Sequence, residues 1–318
     1  MGIDVTGLVT RARDGDARAV ARLISLVENA SPALRDVMAA LMPHVGHAWV
    51  IGLTGSPGVG KSTSTSMLVT RFRSEGKRVG VLAVDPSSPF SGGALLGDRV
   101  RMQEHALDEG VYIRSMATRG QLGGLARATP QALRVLDAAG CDVVLVETVG
   151  VGQAEVEIAS LADTTVVLVA PGMGDAIQAA KAGILEIADV FVVNKADRDG
   201  ADQAARDLRN MLSLAERRGA DEWQPPIVKT IASRGEGADE VLAALTSHHE
   251  WLVSTGHLDA KRRLRAADEI EAIAVAMLRG RLGDLRGGSL LDELAGRVVA
   301  GQVDPYAAAD TLVDGVTA

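Results

Sequence analysis

The chain has 318 residues, of which 47% are hydrophobic and only 3% aromatic, and its formal net charge is -8 at pH 7. That length allows one large domain or a domain with appendages, and the acid excess without a long Lys/Arg block excludes nucleic-acid binding through a broad basic face. A core supplied by Ala, Val and Leu suits helices packed on a Val-rich sheet better than a β-sandwich, so an α/β class is expected.

Cys141 is the single cysteine, so an internal disulfide is impossible and a cysteine-based metal site is not expected. The opening Met1-Gly2-Ile3-Asp4-Val5 lacks a basic segment followed by an apolar one. No apolar run approaches the ~20 residues of a membrane span, and the expected location is the cytoplasm.

In chain order, Val20, Leu23, Ile24 and Val27 form the i, i+3, i+4, i+7 stripe of an amphipathic helix, with Asp16 as its cap. A second helix is expected from Ser31-Pro32, with Leu34, Val37, Met38 and Leu41 on one face, stopping before Pro43. Residues 1–47 read as a helical segment. From Trp49 the pattern changes to short apolar runs between helical stretches, the signature of a mostly parallel sheet flanked by helices. The predicted strands are Trp49–Leu53, Val79–Val84, Val143–Glu147, Thr165–Ala170, Val190–Val193 and Ile227–Ile231. They place one domain over residues 48–255. Beyond it, helices are predicted at about Ala260–Leu282, at Ser289–Val299 and from Pro305 behind Asp304, giving a helical arm over 256–318.

Ligands collect at the carboxyl ends of parallel strands, and the motifs that carry chemistry sit there. Gly55-Ser56-Pro57-Gly58-Val59-Gly60-Lys61-Ser62, continued by Thr63, fits G-x-x-x-x-G-K-[ST], the phosphate-binding P-loop of an NTPase. Its glycines let backbone N–H groups surround a polyphosphate, Lys61 reaches the β- and γ-phosphates, and the Ser62 hydroxyl is a Mg²⁺ ligand. Asn194-Lys195-Ala196-Asp197 matches N-K-x-D. A carboxylate at Asp197 accepts from guanine N1–H and the 2-amino group, donors that adenine lacks, so GTP and GDP are the expected nucleotides.

Three acidic residues are candidates for the metal: Asp85 ends the second predicted strand, Asp98 follows a glycine-containing loop, and Glu147 ends the third strand. Glu147 with Gly150 occupies the place of the D-x-x-G box, where a glycine N–H senses the γ-phosphate. Position 151 is Val where Ras-type GTPases keep a water-orienting Gln, and Gln153 is the nearest amide, so slow intrinsic hydrolysis is expected. Two further loops carry glycines. One runs from Met116 to Gly124 and holds Arg119; the other, from Pro171 to Asp175, leads into a helix on which Gln178 and Lys181 share a face that could approach the γ-phosphate.

Taken together, G-S-P-G-V-G-K-S-T, D-P-S-S-P-F-S-G-G-A-L-L-G-D-R, R-S-M-A-T-R-G-Q-L-G-G-L-A, V-E-T-V-G-V-G-Q-A-E and N-K-A-D closely resemble the MeaB/ArgK family of P-loop GTPases, over nearly the whole chain. The resemblance implies a homodimeric G-protein chaperone of adenosylcobalamin-dependent methylmalonyl-CoA mutase that gates cofactor loading and protects or reactivates that enzyme. In it, the partner stimulates GTP hydrolysis, Asp85, Asp98 and Glu147 act around Mg²⁺, and the arm at 256–318 mediates dimerisation. It also implies a partner-responsive switch at Asp175, Gln178 and Lys181. Where the family has Ser-Ala in the last guanine-contacting loop, this chain reads Ile231-Ala232-Ser233. The Ala232 N–H is still expected to meet guanine O6. Two alternatives are an ATPase or kinase linked to arginine/ornithine transport, against which Asp197 speaks, and a metal-insertion GTPase, for which Cys141 and six scattered His offer no cluster.

Overall fold

A computed structural model describes residues 3–85, 102–117, 128–148, 154–172, 184–214, 222–282 and 289–317. They form two compact units, Met1–Leu258 and Asp259–Ala318. The first begins with three helices: α1 (Val5–Arg13), α2 (Ala17–Glu28) and α3 (Leu34–Leu41). Asp16 caps α2 as expected, its carboxylate accepting from Arg18 N at 2.8 Å and Ala19 N at 3.2 Å. Arg11 adds an ion pair to the same carboxylate and holds Asp16 below its ordinary value. Val20, Leu23, Ile24 and Val27 are all buried. The third helix starts two residues later than Pro32, because Ser31 turns the chain first: its carbonyl accepts from Leu34 N at 2.8 Å.

Seven strands follow: β1 (Trp49–Thr54), β2 (Val79–Asp85), β3 (Val111–Ala117), β4 (Val143–Glu147), β5 (Thr164–Val169), β6 (Val190–Val193) and β7 (Ile227–Lys229). They form one sheet in the order β3-β2-β4-β1-β5-β6-β7, and every pairing is parallel. Connections need crossovers, supplied by α4 (Lys61–Ser74), α5 (Thr129–Ala138), α6 (Ala154–Leu161), α7 (Ile184–Ile187) and α8 (Ala201–Leu214), and α9 (Ala238–Ser254) follows β7. Alternate residues of each central strand serve opposite faces. Ile51, Leu145, Val166 and Val192 meet α4 and α9, while Val50, Val144 and Val146 share a core with α1, α2, α3, α5 and α6. Thus the helical segment at 1–47 builds one face of the sheet. Cys141 is buried in that face, and burial pushes its thiol up to about 12, so at neutral pH it is a small protonated hydrophobe.

The strand not predicted is β3, at the sheet edge. Val-Tyr-Ile-Arg-Ser-Met-Ala carries Arg114 and Ser115 mid-strand and so lacks the continuous apolar run of the covered strands; Met116 and Ala117, expected in a loop, are its last residues. A turn from Met102 to Gly110 precedes it. Arg73 of α4 grips Asp108 with Nε and Nη2, both at 2.8 Å. The Asp108 carboxyl is held below its ordinary value first by that Arg73 bond and then by the Gly110 N–H. A depressed carboxyl stabilises the fold above its unfolded pKa of ~3.9 and loses that contribution as pH falls through the folded value. Asp108→Asn should therefore cost about 0.5–1 kcal/mol in urea unfolding at pH 7, and its difference from wild type should shrink as pH falls below ~3.9 and vanish once pH is below the depressed folded value.

The second unit contains α10 (His257–Leu282), which starts in the first, then α11 (Ser289–Val299) and α12 (Pro305–Thr317). Asp304 caps α12, accepting from Tyr306 N at 2.9 Å and Ala307 N at 3.1 Å. Leu264, Ile270, Ile273 and Leu278 on α10 are exposed. No helix among the described residues is long and apolar enough to cross a membrane.

Candidate functional site

The chain order reverses direction at β1: β2 and β3 lie to one side, beyond β4, and β5 to β7 lie to the other. A crevice opens at the carboxyl ends of strands at such a point, and the P-loop leaves β1 there. Gly55, Gly58 and Gly60 have φ of 142°, 84° and 99°, values that L side chains rarely adopt. The two outer glycines are also sterically required. A Cβ on Gly55 would lie 2.3 Å from the Leu168 carbonyl oxygen, and one on Gly60 would lie 2.4 Å from Asn194 Nδ2. Lys61 opens α4 and is buried, with Nζ donating to the Gly55 carbonyl at 2.7 Å and the Ser56 carbonyl at 3.1 Å. The ammonium is thus already inside the loop, next to backbone groups able to meet a phosphate.

Ser62 and Glu147 are brought together. The Ser62 hydroxyl donates to Glu147 Oε1 at 2.6 Å, and Thr65 Oγ1 lies 3.1 Å from Oε2 of the same carboxylate. Glu147 is only 5% exposed, so two hydroxyls from one face of α4 hold a buried carboxylate at the end of β4. Thr65 was missed by the motif reading, although its place three residues after Ser62 on a helix signals a shared face. Hydroxyl and carboxylate oxygens side by side are the hard donors that Mg²⁺ prefers. Asp85 ends β2 at the same edge of the sheet, but its side chain, together with Asp98, Arg119, Gly150, Val151, Gln153, Asp175, Gln178 and Lys181, lies outside the described residues. Among the described residues no group of three or more His, Cys, Asp or Glu could hold a metal ion by itself.

Asn194 turns inward, and Lys195 reaches across to the P-loop at the surface. Asn194, 3% exposed, donates from Nδ2 to the Val59 carbonyl at 2.8 Å. Its Oδ1 accepts from Thr230 Oγ1 and from the Ala232 N–H, both at 3.1 Å. Lys195, at φ 57°, donates from Nζ to the Gly58 carbonyl at 2.6 Å. The N-K-x-D segment therefore ties the P-loop to the loop after β7. The Ala232 N–H, expected to meet guanine O6, is committed here to Asn194. Ile231 pairs with Glu236 and closes that loop, where Ala232, Ser233 and Arg234 form a 3₁₀ turn. Asp197 remains 40% exposed, with Arg234 Nη2 3.9 Å from its carboxylate.

Residues 20–284 match the family model described as methylmalonyl-CoA mutase-associated GTPase MeaB. A Pyrococcus abyssi protein that carries a GTPase name is 48% identical over 308 residues, 96% of this chain and 95% of the relative. The mouse mitochondrial methylmalonic aciduria type A homolog is 36% identical over 274 residues, covering 81% of this chain and 65% of its own. The crystal structure of a protein named as a LAO/AO transport system kinase superposes over the full length of both chains with a TM-score of 0.75 at 28% identity. The chain belongs to the MeaB family and is a P-loop GTP hydrolase.

Proposed function

We propose that this GTPase acts as a G-protein chaperone of adenosylcobalamin-dependent methylmalonyl-CoA mutase, gating cofactor loading and protecting or reactivating the enzyme. The observation that carries the reading is the family match over residues 20–284, whose description names association with that mutase. The mouse relative's name, which refers to methylmalonic aciduria, supports it. In this reading the chain binds GTP and GDP with Gly55 to Thr63 around the phosphates and Asn194, Lys195, Asp197 and the Ile231–Ser233 loop at the base. Lys61 neutralises charge developing on the transferred phosphoryl group, a task that needs position rather than covalent chemistry.

Mg²⁺ would be held by Ser62 and Glu147, with Asp85 and Asp98 completing the candidate set, and when bound would supply neutralisation of phosphate charge. Gln178 and Lys181 belong to the proposed partner-responsive switch. The exposed Leu264, Ile270, Ile273 and Leu278 on α10 suit a homodimer contact, and the cytoplasm is the proposed location.

The test is GTP turnover by the purified chain with and without methylmalonyl-CoA mutase. Turnover alone should be slow and should rise at least tenfold with the mutase, in parallel with co-elution; no stimulation and no co-elution would overturn the chaperone reading. Full-length superposition on a protein named as a transport system kinase favours a second reading, a transport-linked kinase or ATPase. Competition separates the two: ATP displacing bound GDP as well as GTP does would support the second.

A further inference from the structure

We propose that Glu104, outside every motif, reads the ribose of the bound nucleotide; the assignment rests on the guanine-nucleotide reading of the site. A groove of about 620 Å³ runs along α4 from Thr63 to Ser74, and Glu104, Ala232, Ser233 and Asp239 also line it. Thr63 directly follows the P-loop serine and marks the phosphate end. Ala232, bonded to Asn194 at 3.1 Å, brings the loop proposed to meet the base to the same groove. The part of a nucleotide between its phosphates and its base is the sugar, and Glu104 stands in the wall of that groove. Vicinal 2′- and 3′-hydroxyls are donors that a carboxylate accepts, the pairing used by the acidic residue of dinucleotide-binding folds.

The carboxylate is held for this task. Ser66 Oγ contacts Glu104 Oε1 and lies 2.8 Å from His105 Nε2. A hydroxyl has one proton; when Ser66 donates it to the carboxylate, it must accept from His105 Nε2–H, so the bonds run one way, from His105 through Ser66 to Glu104. Ser66 and His105 are buried at 7% and 8% exposure, whereas the Glu104 side chain is 64% exposed. The turn that carries it is fixed at both ends, by the buried Met102 and by the two Arg73 bonds to Asp108. Asp239, the other carboxylate in the wall, is paired with Arg71, while among the described residues Glu104 faces no Arg or Lys in an ion pair. Glu104 is thus an acceptor on a fixed turn, anchored through one oxygen, with a second oxygen outside that chain of bonds.

Calorimetric titration of the full chain with GDP, 2′-deoxy-GDP and 3′-deoxy-GDP tests this. Wild type should bind GDP about tenfold more tightly than either deoxy form. Glu104→Ala should bring both ratios within about twofold. Glu104→Gln, which keeps the shape and one acceptor, and Ser66→Ala, which removes only the anchor, should leave about threefold. Thermal melts establish that each variant is folded. A wild type indifferent to the missing hydroxyls, or a Glu104→Ala protein that retains tenfold discrimination, overturns the assignment while leaving the nucleotide reading intact. Failure of wild type to bind GDP at all removes both.

Discussion

Asn194→Ala should lose about 2–4 kcal/mol of stability, roughly 5–15 °C in Tm for a unit of this size, and should bind GDP at least tenfold more weakly. The substitution leaves the Val59 carbonyl, the Thr230 hydroxyl and the Ala232 N–H without their side-chain partner in a place that is 3% exposed. Burying an unmet donor or acceptor costs ~1–3 kcal/mol each, reduced where water enters the space vacated by the amide. The loss of nucleotide affinity follows from the same three bonds, because they fix the P-loop relative to the base loop before any ligand arrives. Asn194→Asp separates packing from hydrogen bonding. Its shape is the same and it can still accept from Thr230 and Ala232, but it cannot donate to Val59 and it buries a charge. It should be at least as unstable as the alanine variant. Urea unfolding and GDP calorimetry measure both effects; an aspartate variant as stable as wild type would show that the Val59 bond is not what holds the loop.

That clamp marks the limit of what the sequence discloses. Gly55 to Ser62 and Asn194 to Asp197 were legible because their chemistry is local: fixed spacing, glycines at left-handed φ and strand signals directly before them. The coupling between them was not, since Asn194 and Val59 are 135 residues apart and meet only when β1, β5 and β6 lie side by side. The same holds for the pairing of Ser62 and Thr65 with Glu147: Ser62 and Glu147 are visible singly, Thr65 is not, and the contact depends on β1 pairing with β4. Helix ends marked by a side chain, such as Asp16 and Asp304, were read correctly, because capping is settled within three residues. The edge strand β3 escaped because apolar continuity identifies only strands covered on both faces, and Arg114 interrupts it; that residue instead pairs with Glu28 of α2. Glu104 lay outside every pattern for a related reason, as its contact Ser66 comes from α4, 38 residues earlier in the chain.

Asp197→Asn should exchange the base that the site accepts. Guanine presents N1–H and a 2-amino group, both donors, to the carboxylate; xanthine presents N1–H and a carbonyl oxygen at position 2. An asparagine amide can accept from N1–H and donate to that oxygen, so it fits xanthine, while toward guanine its NH₂ group meets another NH₂ group. Each hydrogen bond to the ionised carboxylate contributes ~1.5–3 kcal/mol, and replacing two of them should weaken GDP binding by roughly 10²–10⁴-fold. Binding of xanthosine diphosphate should strengthen by a comparable factor. The substitution should leave the fold intact, because the side chain is 40% exposed and its ion-pair contact with Arg234, at 3.9 Å, is long and solvated. Hence the ratio of xanthosine diphosphate to GDP affinity, measured beside an unchanged thermal melt, reads base recognition alone. A variant that keeps its preference for GDP would mean that a group other than Asp197 contacts the 2-amino position, and Arg234, Ser233 and the Ile231 backbone would be the next residues to change.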